Sequence, residues 1–492
     1  MLFNSLQFLI FFPIVVVLFY SLPHRFRWVM LLIASCYFYA SWSVKYLFLL
    51  LLPVLIDFNV AVLMEKTAKK ALRRLYLGIC LTSNLGILFY FKYANFFARS
   101  ANALFEFSGL AHRFSLMDVI LPVGISFYTF QSLSYALDVY FGKMKPVRHV
   151  GIFSLFVTFF PQLVAGPIER AVRLLPQFER EHHFSWDNLI SGVKFMILGF
   201  FLKVVVADRL AVVVDYVYGS GAANFPGQVL LTATYFFAFQ IYADFAGYST
   251  IAIGAAKVLG FDLMKNFRQP YLATSIPDFW SRWHISLSTW FRDYLYIPLG
   301  GNRVEKWRWY LNIFIVFLVS GLWHGANWTF VIWGALHGFY SLCSHFFRAP
   351  RQAFVHLIGL DRWPRVLNMI QVLIVFHLVL IGWVFFRAAS VSDALAVLST
   401  IGTWLAGLLG NFNWVAILPR LGGIITWFDL AVVVAAVTIV LAHNIFVEFR
   451  EGRPVPANGV TYYGSLVFYD LLFLGILGFG LYTEKQFIYF QF

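Results

Sequence analysis

A histidine set in apolar sequence is the first residue with chemical potential in this chain. His324 stands in Ser320-Gly321-Leu322-Trp323-His324-Gly325-Ala326-Asn327-Trp328-Thr329-Phe330, closing an apolar run that begins near Tyr310. An ionisable side chain at membrane depth is costly and marks a functional hypothesis. Apolar surroundings disfavour an imidazolium and favour a neutral ring that can accept a proton. A general base that takes the proton of an attacking hydroxyl needs that property. If the segment is helical, Asn327 falls on the same face at i+3, where it could orient a substrate or stabilise an oxyanion. The alternative is a histidine satisfied by packing, the commoner role of a lone histidine in such a segment.

A second group of candidates lies between Asn266 and Arg308, which contains Asp278-Phe279-Trp280-Ser281-Arg282-Trp283-His284-Ile285-Ser286-Leu287-Ser288-Thr289-Trp290-Phe291-Arg292-Asp293-Tyr294. The stretch is too charged to cross lipid and too aromatic for a free loop. An interfacial or re-entrant helix over 266–308 fits, with Trp and Tyr at the headgroup boundary and Arg snorkelling. His284, Arg282 and Ser288 belong to it, and Trp323 flanks His324. Asp244, in Gln240-Ile241-Tyr242-Ala243-Asp244-Phe245, is a buried acid that requires a basic partner such as Arg282 or Arg292; it is either a structural ion pair or part of a chamber lining. Ser126, Gln131, Asp138, Glu169 and Arg170 carry the same ambiguity. Gly300, Gly301 and Arg303 could offer backbone N–H groups and a cation to a phosphate, or form a plain tight turn after Pro298. His284, His324 and His337 lack metal-site spacing, so no metal is expected.

The elements that must position these residues follow from composition. Of 492 residues, 61% are hydrophobic and only 12% charged, which excludes a water-soluble globule, disorder and collagen. Apolar runs long enough to span a bilayer recur, joined by short basic loops such as 23–27 and 66–74. They predict an all-α polytopic membrane protein of about 11–12 transmembrane helices with added interfacial or re-entrant helices, organised as one membrane domain over 1–492. The net charge of +14 reads as positive-inside loops and not as a nucleic-acid surface, and the basic loops 23–27 and 66–74, flanking a pair of spans, can both face the cytoplasm only with the N-terminus outside. No basic residue precedes the run Leu6–Leu22 and no small-residue cleavage site follows it, so that run is expected to remain as a span. Cys36, Cys80 and Cys343 lie in apolar stretches without ligand spacing and read as small buried hydrophobes. Pro and Gly interrupt the runs at 121–126 and 160–167, and broken helices at membrane depth usually line a cavity.

Three segments carry a resemblance: Leu121–Tyr140, LPVGISFYTFQSLSYALDVY; Arg282–Arg303, RWHISLSTWFRDYLYIPLGGNR; and Gly321–Gly338, GLWHGANWTFVIWGALHG. In this order, over nearly the whole chain, they resemble the membrane-bound O-acyltransferase (MBOAT) family and its alginate O-acetyltransferase AlgI-like branch. The resemblance implies transfer of an acyl group from a thioester to a hydroxyl, with His324 as catalytic base. The family's second position, Asn or His, matches His284, which would position donor or acceptor or share the proton work. It further implies acetyl-CoA as donor substrate with no tightly bound cofactor, a bacterial inner-membrane location, and a polysaccharide acceptor such as alginate, with peptidoglycan or cellulose as alternatives. Periplasmic acetyltransferase partners (AlgJ/AlgX/AlgF-like) would complete the transfer, with membrane lipid as the surroundings. The rival classes are a polysaccharide transporter or flippase, which broken helices equally permit, and a non-catalytic scaffold.

Overall fold

Inside a bilayer no water can satisfy backbone N–H and C=O groups, so a chain this apolar must pair them within its own segments. A computed structural model describes residues 1–221, 224–407, 425–450, 459–482 and 487–488, and the regular structure among them is helical, with no strand. The first part of the chain holds α1 (Leu6–Ser21), α2 (His24–Ala40), α3 (Val44–Glu65), α4 (Lys70–Leu88), α5 (Ala94–Phe107), α6 (Ile125–Tyr140), α7 (Val150–Thr158), α8 (Phe160–Leu163), α9 (Ala171–Glu179) and α10 (Trp186–Phe200). Next come α11 (Asp208–Gly219), α12 (Gly227–Val258), α13 (Ile276–Arg282), α14 (Ile285–Phe291), α15 (Lys306–His324), α16 (Trp328–Phe346), α17 (Arg348–Leu357), α18 (Pro364–Arg387) and α19 (Val391–Gly407). Helices Trp427–Arg450 and Gly459–Phe479 follow. The chain groups into two compact units, one of residues 1–196 with 249–264, the other of 197–248 with 265–491.

Six helical stretches among the described residues are long and apolar enough to cross a membrane: Val44–Glu65, Lys70–Phe107, Trp186–Gly219, Gly227–Val258, Pro364–Arg387 and Trp427–Phe449. Leu6–Ser21, Val391–Gly407 and Gly464–Phe479 are shorter apolar helices. The run at 150–165 supplies no single span, because it breaks at Phe159 into α7 and α8, of nine and four residues. At about 1.5 Å per residue neither reaches across a core about 30 Å thick. The break is chemically provided for. Phe160 N–H donates to Ser35 Oγ at 3.1 Å, and the Phe156 carbonyl accepts from Gln131 Nε2 at 2.6 Å and Gln162 Nε2 at 2.7 Å. Gly124, with φ +75°, lies against α8, where a Cβ would sit 2.8 Å from the Leu163 carbonyl oxygen. In the same unit Asp57 accepts from Asn84 Nδ2 at 2.8 Å and Ser132 Oγ at 2.5 Å.

In the second unit the site rests on the hairpin of α15 and α16. Small residues let two helices approach when dispersion alone must hold them. A Cβ on Gly321 would lie 2.3 Å from the Phe330 carbonyl oxygen, and one on Gly334 would lie 2.4 Å from that of Phe317. The stretch 266–308, expected as interfacial or re-entrant helix, folds as α13, α14 and a π-helical turn Arg292–Tyr296. Its residues Phe279, Trp283, Leu287, Trp290 and Phe291 are buried. Gly321→Ala is expected to force the hairpin apart at a cost of about 1–3 kcal/mol, lowering the thermal unfolding midpoint of detergent-solubilised protein; an unchanged midpoint would contradict the close-approach account.

Candidate active site

His324 is the last residue of α15, and Gly325 after it is extended, with φ −160°. A Cβ on Gly325 would lie 2.1 Å from the Phe330 ring, so glycine there lets the aromatic close over the helix end. His284 enters from the other side as the residue preceding α14, in the left-handed conformation with φ 45° and ψ 54°. Both histidines are buried, 0% exposed at His284 and 2% at His324. Their ring centroids are 6.2 Å apart. Two imidazoles this close can act on neighbouring atoms of one substrate group.

The walls are aromatic. Phe245 meets His284 edge-on at 4.6 Å and Trp323 lies 5.7 Å from it. Trp333 packs against His324 at 4.9 Å and Phe386 at 5.5 Å. Trp383 stacks on Trp333 at 6.1 Å and lies 5.0 Å from Trp283. Such walls exclude water and strengthen every electrostatic interaction between them.

The model of the MBOAT, membrane-bound O-acyltransferase family, matches residues 75–391, a range that contains both histidines. The chain belongs to this family. As an MBOAT protein it is an acyltransferase, which separates it from the transporter and scaffold classes. It is 39% identical over 463 residues to the "Probable alginate O-acetylase AlgI" of Pseudomonas putida, covering 93% of this chain and 90% of that one. To the protein of the same name from Pseudomonas aeruginosa it is 42% identical over 422 residues, 84% of this chain and 78% of the relative. The Peptidoglycan O-acetyltransferase of Helicobacter pylori is 37% identical over 396 residues, 75% of this chain and 72% of the relative.

The other sequence candidates of this MBOAT chain fall in different places. Trp323 joins the two histidines. Ser288 lies one turn beyond His284, its Oγ donating to the Trp283 carbonyl at 3.3 Å. Arg282 pairs with Asp278 and Glu448, each at 2.8 Å. Its charge is therefore committed there, and Asp244 finds a different cation. Asn327 is not on the helix of His324: α15 ends first, and Asn327 caps α16 by accepting from Thr329 N–H at 3.2 Å while donating to the Ala389 carbonyl at 3.0 Å. Gly300 and Gly301, with φ 105° and 56°, and exposed Arg303 form a turn ahead of α15, at the opposite end of that helix from His324. Nineteen helical residues separate the ends by about 28 Å.

Asp244 shares Lys203 with Asp208, at 2.7 Å and 2.9 Å. Its other oxygen accepts from Ile488 N–H at 2.8 Å. Lys203, 1% exposed, sits in a π-helical stretch Phe201–Ala207, and Gly247 lets the two backbones approach, since a Cβ there would meet Gly199 O at 2.9 Å and Lys203 N at 3.2 Å. This cluster anchors the turn of α12 that presents Phe245 to His284. Lys203 is not among the sequence candidates, although a lysine within Phe200-Phe201-Leu202-Lys203-Val204-Val205-Val206 is itself the signal of a buried charge in need of a partner. His337, buried, accepts at Nδ1 from Trp280 Nε1 at 3.3 Å, which in the neutral ring places the proton on Nε2.

Burial pushes the pKa of His284, outside the six spanning helices, down to about 3. It is therefore neutral throughout the range of about pH 5–8 in which an ordinary histidine titrates. His284→Asn, which keeps a neutral side chain and tolerates the left-handed turn, is expected to lower turnover without changing the shape of the pH–rate profile in that range; loss of an ionisation there would contradict a neutral His284. Lys203→Met removes the cation that two buried carboxylates share, and is expected to destabilise by about 3–5 kcal/mol, read as a lower unfolding midpoint or loss of folded protein from the membrane.

Proposed function

We propose that this acyltransferase moves acetyl from cytoplasmic acetyl-CoA toward hydroxyls of an extracytoplasmic, alginate-like polysaccharide, with periplasmic partner proteins completing the transfer. The observation that carries the reading is the pair of buried imidazoles, His284 and His324, facing one another between aromatic walls. The names of the Pseudomonas relatives support the acceptor class, and that of the Helicobacter relative makes peptidoglycan the alternative acceptor.

In this scheme His324 takes the proton of the acceptor hydroxyl as its oxygen attacks the thioester carbonyl. A carbon–oxygen bond forms, the carbon–sulfur bond breaks, and the imidazolium returns its proton to the departing thiolate. His284, neutral, donates to or accepts from the acyl or acceptor oxygen and holds it in line, a contribution made through orientation. Trp323, Trp333 and Phe386 keep water from competing for the thioester. The basic loops at 23–27 and 66–74 support an inner-membrane orientation with the N-terminus in the periplasm.

The test is coenzyme A release from acetyl-CoA by the protein in lipid, alone and with a membrane extract containing its partners. His324→Ala is expected to lower release by about 100-fold or more, the scale of a lost general base, while the protein still accumulates. Release within threefold of wild type would overturn His324 as the base.

A further inference from the structure

We propose that Asn266 is the positioning residue for His284, holding the left-handed turn that aims the imidazole toward His324. The inference rests on the acetyl-transfer reading and adds a residue to it. A non-glycine residue with positive φ is uncommon and strained, and persists only where its surroundings over-determine it. Among the described residues outside glycine only Gln269 and His284 adopt such a φ.

The surroundings that hold His284 converge on Asn266. The first N–H groups of a helix have no partner within it, and the residue preceding the helix usually supplies a side-chain oxygen to accept them. His284 occupies that place before α14 and its side chain makes no capping bond. Asn266 takes over the duty. Its backbone carbonyl accepts from Ile285 N–H at 2.9 Å, and its Oδ1 accepts from Ser286 N–H at 3.2 Å and from Ser286 Oγ at 2.9 Å. One rung further along, Arg268 N–H donates to the Arg282 carbonyl at 2.9 Å. Asn266 and Ser286 are 1% and 0% exposed, so solvent does not compete for these bonds. Because another residue does the capping, the imidazole can face Phe245, Trp323 and His324.

A displacement of about 1 Å in a positioned group can cost on the order of 100-fold in rate, so the loss should fall on kcat. The experiment compares wild type, Asn266→Ala, Asn266→Asp and His324→Ala in lipid nanodiscs, measuring kcat and KM for acetyl-CoA and the thermal unfolding midpoint. Asn266→Ala is expected to lose about tenfold or more in kcat with KM close to wild type, and to lower the midpoint only by the modest amount expected for leaving the buried Ser286 groups unpaired. Asn266→Asp keeps both acceptor oxygens and is expected to recover most of the loss at the acid end of the assay range, where the buried carboxyl is protonated and uncharged. The inference is overturned if Asn266→Ala keeps more than half of kcat, if Asp fails to rescue, or if KM for acetyl-CoA rises in step with the loss of kcat, which a merely structural role would produce. Should Asn266→Ala not accumulate folded, Ser286→Ala carries the same test: a fall in kcat at unchanged KM supports the inference and unchanged kcat overturns it. Absence of His324-dependent turnover in wild type would instead overturn the acetyl-transfer reading, and this inference with it.

Discussion

A polar group inside a bilayer must bring its partner with it, and the arrangement of this chain follows from that constraint. Where a helix breaks at Phe159, two glutamines and a serine arrive from α6, α8 and α2 to take the freed backbone groups. Where a lysine is buried at residue 203, two aspartates come with it. Removing one partner costs more than the pair contributes, because the other is left in a medium that cannot solvate it. Such groups therefore act as pins. They fix the depth and rotation of elements that apolar packing alone would leave free to slide.

The two histidines are the residues for which this rigidity matters most. Neither is placed by the middle of a regular helix. His324 stands where α15 ends and His284 in a strained turn before α14. Helix ends and strained turns can aim a side chain toward a neighbouring element, whereas a residue in mid-helix points only outward from its own axis. The requirement is that the turn and the end be held, by glycine contacts in the α15–α16 hairpin on one side and by hydrogen bonds to α14 on the other. At position 284 the left-handed backbone also narrows the choice of residue. Asn and His tolerate it and both offer a polar atom to a substrate.

Several candidate residues changed roles once the chain was folded. Asn327 was expected to share a face with His324, an inference that needed one continuous helix through Gly325; the helix stops at His324 and Asn327 becomes a cap. Asp244 was expected to meet Arg282 or Arg292 because these are the nearby arginines in the aromatic stretch. Arg282 is committed to Asp278 and Glu448, and Lys203 serves Asp244. The glycine turn at 300–301 lies a full helix length from the histidines. The polytopic all-α expectation holds; against the expected eleven to twelve spans, six helices among the described residues are long and apolar enough to cross, while other apolar runs form shorter helices such as Leu6–Ser21 and Val391–Gly407 and the run at 150–165 folds as two short buried ones.

What the sequence by itself determined is set by composition and local chemistry: an all-helical membrane chain, the short list of ionisable residues in apolar runs, and His324 and His284 within motifs of the MBOAT family. These are legible because hydrophobicity is a property of each residue and the cost of burying a charge does not depend on which neighbour offsets it. Tertiary structure alone decided the partners. That Lys203 joins Asp244, that Asn266 caps the helix after His284, and that the two imidazoles meet at 6.2 Å all depend on contacts between residues far apart in the chain. A one-dimensional pattern states that a buried polar group needs a partner; only the packing of helices, through a few close glycine contacts and a strained turn, determines which one it obtains.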